Sequence, residues 1–375
     1  MIRTQLSAEL GLQAPIFAFT YQPEVAAAVS RAGGMGVLGA VRFSTDELAQ
    51  ALDYLDRESN GRPYGVDVVM PASSEQVDAS QASELLAKLE QMIPQEHRDF
   101  IERVLDEHGV PPLPEGEEVP RGLLGWTDAA ARSQVDVALT HPIALLANAL
   151  GPPPADVVEQ AHDAGVKVAA LCGRADQALK HRERGVDIVV SQGTEAGGHT
   201  GEIATMVLVP EVVEALDGAP VLAAGGIGRG SQVAAALALG AQGVWTGSLW
   251  LTTAEHEQQE ALRHKLLAAT SRDTVRSKSL TGKPARQLRT AWTEAWEDPE
   301  NPKPLGLPLQ YLLTAEAQHR IRLSGKEELL GMPVGQIIGS VHEMRRVADV
   351  MADLIADATQ AIARLTTLTH EEVQA

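Results

Sequence analysis

The feature that most restricts the fold of this chain is a regular alternation of short apolar runs with longer amphipathic segments. Each run is apolar or small on both faces and is bounded by glycine, proline or aspartate, as expected for parallel strands covered by helices. Eight such runs occur, at residues 15–19, 36–38, 65–70, 143–147, 166–171, 188–191, 221–224 and 243–246. Eight consecutive β-α units are the number that closes a parallel sheet into a barrel.

Helical patterns fill most of the intervals between these runs, at residues 24–31, 46–57, 155–163, 175–184, 210–216 and 231–239. Several of them end near a glycine, the residue that most easily ends a helix in the left-handed conformation. An open, doubly wound sheet would give the same alternation, so the count of eight decides between the two folds. We therefore predict an α/β fold, a (β/α)8 TIM barrel, with residues 1–375 forming a single domain.

Two segments exceed what a bare barrel needs. Residues 72–141 follow the third predicted strand and contain helical patterns at 83–92 and 96–108. This insertion would emerge at the catalytic rim and could cap the pocket. A solvent-exposed surface segment that does not contact the pocket would explain the insertion equally well. Residues 270–375 form the second segment, with a long helix predicted at 337–365, and we expect it to wrap the barrel or cover a cofactor.

Composition and charge exclude several classes of protein. The chain has 31 Lys and Arg against 50 Asp and Glu, a formal net charge of −19, so nucleic acid would meet net repulsion. A single cysteine, Cys172, suits a reducing compartment, and neither a signal peptide nor a membrane-spanning run is visible. These features predict a cytoplasmic protein without nucleic-acid or membrane partners, which could form a homodimer; no metal site is expected.

The densest motif follows the sixth predicted strand and reads Ser191-Gln192-Gly193-Thr194-Glu195-Ala196-Gly197-Gly198-His199-Thr200-Gly201. Its four glycines allow the backbone to approach a flat ligand closely and to offer N–H donors. A glycine-rich turn alone is weak evidence, because glycines mark many tight loops. The embedded imidazole of His199, which can change charge near neutral pH, strengthens the functional interpretation.

Two further glycine turns follow the seventh and eighth predicted strands. The first contains Gly225-Gly226 just before a predicted helix, and the second contains Gly247-Ser248. Unpaired amides at such a turn and at a helix N-terminus can bind phosphate. Because the loops after strands seven and eight form the common phosphate site of TIM barrels, fold and motif agree on a phosphorylated ligand.

These segments resemble the nitronate monooxygenase family, formerly called 2-nitropropane dioxygenases. The likeness rests on Gln-Gly-Thr-Glu-Ala-Gly-Gly-His-Thr-Gly at 192–201, Val-Leu-Ala-Ala-Gly-Gly-Ile at 221–227 and Trp-Thr-Gly-Ser at 245–248. Residues 13–16, 279–286 and 335–336 are similar to the family more loosely. The resemblance implies an FMN-dependent TIM barrel in which a nitronate is oxidised by the flavin and O2 to a carbonyl compound and nitrite.

Site residues are implied by the same resemblance. Around the ribityl phosphate we expect Gly197, Gly198, Gly225, Gly226, Gly247 and Ser248. Gln192 and the backbone of Ala14 and Pro15 would lie beside the isoalloxazine ring, and His199 would be the catalytic base or the group that holds an anion.

One position departs from the family pattern. Asp67 lies in the third predicted strand, at a position where relatives commonly have Asn. A carboxylate beside an anionic nitronate or a reduced flavin would be unfavourable unless it were protonated or paired. Asp67 is therefore either a flavin contact or a residue that only binds neighbouring loop amides.

Two other functions fit the same residues. An FMN-dependent NAD(P)H:quinone reductase or enoyl-thioester reductase of the same barrel superfamily would share the glycine segments, with the nicotinamide stacking directly on the flavin. A barrel that binds a phosphorylated metabolite without flavin chemistry is the third possibility, because a fold does not determine a function.

Overall fold

The fold is a closed parallel barrel, seen in a computed structural model that describes residues 2–70, 79–119 and 128–370. The strands in these ranges are β1 (Ile16–Thr20), β2 (Met35–Gly39), β3 (Tyr64–Val68), β4 (Leu145–Asn148), β5 (Lys167–Cys172), β6 (Ile188–Gln192), β7 (Gly198–His199), β8 (Val221–Ala224), β9 (Gly243–Thr246), β10 (Thr274–Ser277) and β11 (Ala285–Leu288). Strands β1–β6, β8 and β9 form the barrel in chain order, and β9 pairs with β1. The barrel strands fall on the eight predicted apolar runs, so the TIM-barrel prediction is confirmed.

Helices surround the barrel and extend it. They are α1 (Gln5–Glu9), α2 (Pro23–Arg31), α3 (Thr45–Glu58), α4 (Ala79–Gln91), α5 (Gln95–Glu107), α6 (Asp128–Ala138), α7 (Ala155–Asp163), α8 (Ala175–Glu183), α9 (Thr205–Leu216), α10 (Gly230–Ala238), α11 (Glu260–Ala268), α12 (Ala291–Glu297), α13 (Leu309–Ser324) and α14 (Val347–His370). None of the helices in the described ranges is long and apolar enough to cross a membrane.

Side chains alternate between the inside and the outside of the barrel, as the two-residue period of a strand requires. Phe17, Val37, Val190 and Trp245 fill the interior in one buried cluster. Alternate residues such as Val66 point outward and pack against α3. This alternation determines which residues at the ends of the strands can reach a ligand at the mouth of the barrel.

The insertion and the C-terminal segment share a separate apolar cluster. Phe100 of α5 lies against Trp296 of α12, with ring centroids 4.7 Å apart, and Leu313 of α13 belongs to the same cluster. Helix α5 is therefore packed rather than fully solvated, because its apolar face is buried by the C-terminal segment. That the insertion caps the pocket stays a prediction.

Some predicted helix boundaries are wrong, two of them informatively. The helix expected at 337–365 is instead a 3-10 turn at Gln336–Ser340 followed by α14, and in this turn Gly339 packs so closely on the backbone of Ser271 that a Cβ would overlap it. The helix expected at 210–216 begins at Thr205, with Pro210 inside it. Both boundaries depend on residues distant in the sequence.

Candidate active site

Four backbone segments meet at the carboxyl ends of β6, β8 and β9. The loop after β6 is fastened to β8 by the amide of Gly193, which donates to the carbonyl of Ala224 at 2.9 Å. The amide of Gly335 donates to the Ser248 hydroxyl at 2.7 Å, and the amide of Gln336 donates to the carbonyl of Glu195 at 2.9 Å. The three predicted glycine motifs and the Gly335-Gln336 pair therefore form one structure.

Close backbone approach requires glycine at two of these positions. A Cβ on Gly197 would lie 2.8 Å from the nitrogen of Gly335. Gly225 has a φ of +97°, and a Cβ there would lie 3.0 Å from the carbonyl oxygen of Gly193. Larger residues at either position would push the segments apart.

The turns after β8 and β9 offer unpaired amide donors. Within the described part of the chain, the amides of Gly225, Gly226 and Gly247 have no acceptor, and helix α10 begins shortly afterwards at Gly230. A Cβ on Gly247 would meet no atom within 4 Å, so the backbone borders open space. Unpaired N–H groups around a space at a helix N-terminus fit a phosphate group.

His199 lies in β7, a two-residue strand that the sequence did not predict. In the small sheet β10-β11-β7, His199 is opposite Ala285. Its Nε2 lies 2.8 Å from the Thr281 hydroxyl oxygen. Burial, and secondarily the positive charge of Lys283, lowers the pKa of His199 below its usual value of 6.5. The imidazole is therefore mostly neutral at pH 7.

Three residues that were not among the predicted site residues hold the glycine loop in shape. The carboxylate of Glu195 accepts hydrogen bonds from the amide and the hydroxyl of Thr205 at the start of α9. Arg286 of β11 is 9% exposed, and its Nε donates to the carbonyl of Thr194 at 2.8 Å. The late segment 279–286 resembles the family only loosely, and no local pattern pairs it with residue 194.

Asp67 and Gln192 bring polar side chains to the upper interior of the barrel. Both alternate with outward-facing neighbours, and Asp67 is 3% exposed. Burial raises the pKa of Asp67 to about 8. Neither side chain has a hydrogen-bond partner in the ranges that the structure describes, so the interpretation that Asp67 only binds loop amides lacks support there.

Ala14 and Pro15 are not brought together with the other predicted residues. They precede β1, and the amide of Ala14 donates to the carbonyl of Gly33, which precedes β2. Both residues therefore lie at the amino end of the barrel, whereas the glycine turns lie at the carboxyl end. Since a parallel strand separates the two ends, we leave Ala14 and Pro15 out of the proposed site.

A second polar cluster lies at the amino end of the barrel. Asp53, Asp56 and His141 place possible ligand atoms within 4.8 Å of one another, beside a cavity of about 290 Å³. The Tyr64 hydroxyl and the His141 ring bind the two carboxylate oxygens of Asp56. This network anchors β3 and the segment before β4, and it is remote from the glycine turns.

Comparison with known proteins agrees with this geometry. A family model described as "Nitronate monooxygenase" matches residues 3–357. The chain belongs to this family. It is therefore a flavin-dependent oxidoreductase built on a TIM barrel.

Two relatives and a solved structure align over most of the chain. "Putative monooxygenase Rv1533" of Mycobacterium tuberculosis is 48% identical, over 97% of this chain and 98% of the relative. A "Probable nitronate monooxygenase" of Staphylococcus aureus is 29% identical, over 89% of this chain and 91% of the relative. The structure of nitroalkane oxidase from Streptomyces ansochromogenes superposes with a TM-score of 0.78 at 26% identity, covering 96% and 99% of the two chains.

Proposed function

We propose that this protein is an FMN-dependent enzyme that oxidises small alkyl nitronates with O2 to a carbonyl compound and nitrite. The observation that carries the proposal is the meeting of two turns with unpaired amides, at Gly225-Gly226 and Gly247-Ser248, with the loop that carries His199. Membership of the nitronate monooxygenase family and the similarity to a nitroalkane oxidase support the substrate class.

The residues that would hold FMN are those with free donors and open space. Gly225, Gly226 and Gly247 would donate to the phosphate, with Gly197, Gly198 and Ser248 shaping the cradle. Gln192 and Asp67 would face the ring from the interior of the barrel. Bound FMN would supply the redox chemistry, accepting electrons from the substrate and passing them to O2.

His199 has the properties of a general base. A neutral imidazole can accept the α-proton of a nitroalkane, and the pKa of His199 is lowered below 6.5. The positive charge of Lys283, which contributes to that lowering, would also favour an anionic nitronate nearby. The hydroxyl of Thr281 fixes the orientation of the ring through Nε2.

The proposal is tested with the purified protein. We expect a yellow protein that releases FMN rather than FAD on denaturation, bleaches anaerobically with ethyl or propyl nitronate, and forms nitrite and aldehyde in air. Bleaching by NADH or NADPH, but not by nitronates, would instead identify a reductase. A colourless protein that cannot be reconstituted with FMN would indicate a barrel that binds a phosphorylated metabolite without flavin chemistry.

A further inference from the structure

The carboxyl group of Asp67 lies at the top of the barrel interior, on the side of the proposed flavin site. On β3, Val66 and Val68 pack outward in the cluster shared with α3, so the side chain between them points inward. In the sheet, Asp67 is level with Gly39 of β2 and Ala147 of β4. Neither neighbour offers a polar side chain to the carboxyl group.

No described residue compensates a negative charge on Asp67. The side-chain amide of Asn148, which is level with Val68 in the sheet, is occupied, because it donates to the carbonyls of Met70 and Gly151 and accepts from the amide of Met70. Tyr21, on the turn after β1, is close enough that the charge of Asp67 raises its pKa. Arg42 lies over the Tyr21 ring, 4.2 Å from its centroid, and forms no ion pair with Asp67.

Ionisation of such a group is energetically unfavourable. A buried carboxylate without a partner costs several kcal/mol, whereas a buried neutral acid costs far less. Burial raises the pKa of Asp67 to about 8 because the buried neutral acid is lower in free energy than the buried carboxylate. At pH 7 the protonated form outnumbers the ionised form by roughly ten to one.

We propose that Asp67 works as a neutral carboxylic acid that donates its O–H to an acceptor atom of the bound flavin ring. This inference rests on the proposed function, because it assumes that the flavin occupies the mouth of the barrel. A protonated carboxyl presents one carbonyl oxygen and one donor, the same pattern as the amide of Asn. Asp67 can thus replace Asn without bringing negative charge to an anionic substrate.

The first test measures the protonation state alone and does not depend on catalysis. The infrared difference spectrum of wild type minus Asp67→Asn at pH 7 should contain the carbonyl stretch of a protonated carboxyl group, and this band should disappear by pH 10. Asp136→Asn removes an exposed carboxylate on α6 and should produce no such band. An ionised carboxylate signal at pH 7 would overturn the inference.

The second test measures flavin binding. FMN should leave the holoenzyme on the order of ten times faster in Asp67→Leu than in wild type, from the loss of one hydrogen bond, and at nearly the wild-type rate in Asp67→Asn. Above pH 8 release should accelerate in wild type and not in Asp67→Asn. Equal release from all three proteins would refute the donor role. An enzyme that passes both tests but does not oxidise nitronates would contradict only the proposed function.

Discussion

The Nε2 atom of His199 lies 2.8 Å from the hydroxyl oxygen of Thr281, and this contact joins the glycine loop to the segment between β10 and β11. Thr281 also interacts with residue 283, since its hydroxyl oxygen lies 3.4 Å from the carbonyl oxygen of Lys283. If the hydroxyl donates to that carbonyl, Nε2 carries the imidazole proton and Nδ1 is the unprotonated nitrogen of the neutral ring. Thr281 is thus a positioning residue for the proposed base.

Removal of this hydroxyl should affect proton abstraction more than flavin binding. In Thr281→Val we expect kcat/KM for neutral nitroalkanes to fall about 5- to 10-fold, the effect of one lost hydrogen bond, with a changed pH profile. Thr281→Ser keeps the hydroxyl and should restore both. A threefold or smaller change in Thr281→Val, with the pH profile of wild type, would show that the contact only stabilises the fold.

His199 itself should distinguish two substrate forms. His199→Asn should slow neutral nitroalkanes by roughly 10²–10⁴-fold, the usual range for loss of a general base, while preformed nitronates, which need no proton removed, suffer less. FMN content should stay near wild type, and His264→Asn, an exposed histidine of α11, serves as the control. If both substrate forms lose rate and affinity together, His199 holds the anion instead. Near-wild-type turnover of both would exclude either role.

The phosphate site can be tested at Gly226. Gly226→Asp would place a negative charge where the phosphate should bind, so we expect the protein to purify without FMN. Gly226 has a φ of +69°, and Gly165, at the amino end of β5, has a φ of +74°. Gly165→Asp therefore reproduces the backbone strain and should keep its flavin. Full flavin content in Gly226→Asp would mean that the phosphate lies elsewhere.

The activity of wild type should fall at both low and high pH. With neutral nitroalkanes the acid limb belongs to His199, whose pKa lies below 6.5, because the base can accept the α-proton only when neutral. The alkaline limb belongs to Asp67, whose ionisation near pH 8 would place a negative charge beside an anionic substrate. We expect kcat/KM for nitronates to lose the alkaline limb in Asp67→Asn. Persistence of that limb in the variant would assign it to another group.

The free energy of unfolding should also depend on pH through Asp67. Below pH 4 both folded and unfolded Asp67 are protonated; between pH 4 and about 8 only the folded state keeps the proton, so the free energy of unfolding falls as pH rises. The fall is up to about 1.4 kcal/mol per pH unit and stops above the folded pKa. The stability of Asp67→Asn relative to wild type should therefore increase across this range. Parallel pH dependences in chemical denaturation would contradict the buried acid.

The sequence predicted the barrel well because its strands are local signals. Each strand is a short apolar run with a glycine or aspartate at its boundary, and the two phosphate-type turns follow such runs directly. Boundaries that depend on distant contacts were missed. Helix α9 begins at Thr205 because the carboxylate of Glu195 binds the Thr205 amide, whereas Pro210 had suggested a later start. Strand β7 has two residues and forms only by pairing with β11, so no periodicity could reveal it.

For the same reason, the structure brings some of the predicted site residues together and separates others. The glycine turns and His199 are local motifs, and the structure gathers them at one end of the barrel. Ala14 and Pro15 came from resemblance alone, and the direction of β1 places them at the other end. The inward orientation of Asp67 and its lack of a polar partner depend on the neighbouring strands. The sequence therefore showed that a carboxyl group here must be protonated or paired, but it could not decide between the two.

The contacts of Gly335 with Ser248 and of Gln336 with Glu195 have a consequence for biosynthesis. All eight barrel strands leave the ribosome long before residues 335 and 336 are translated, and the strands can pair as they emerge. The proposed phosphate site, however, lacks its contacts with Gly335 and Gln336 until those two residues are made. In a nascent chain the strands could therefore pair before the proposed phosphate site is complete, and capture of the flavin would follow translation of residues 335 and 336.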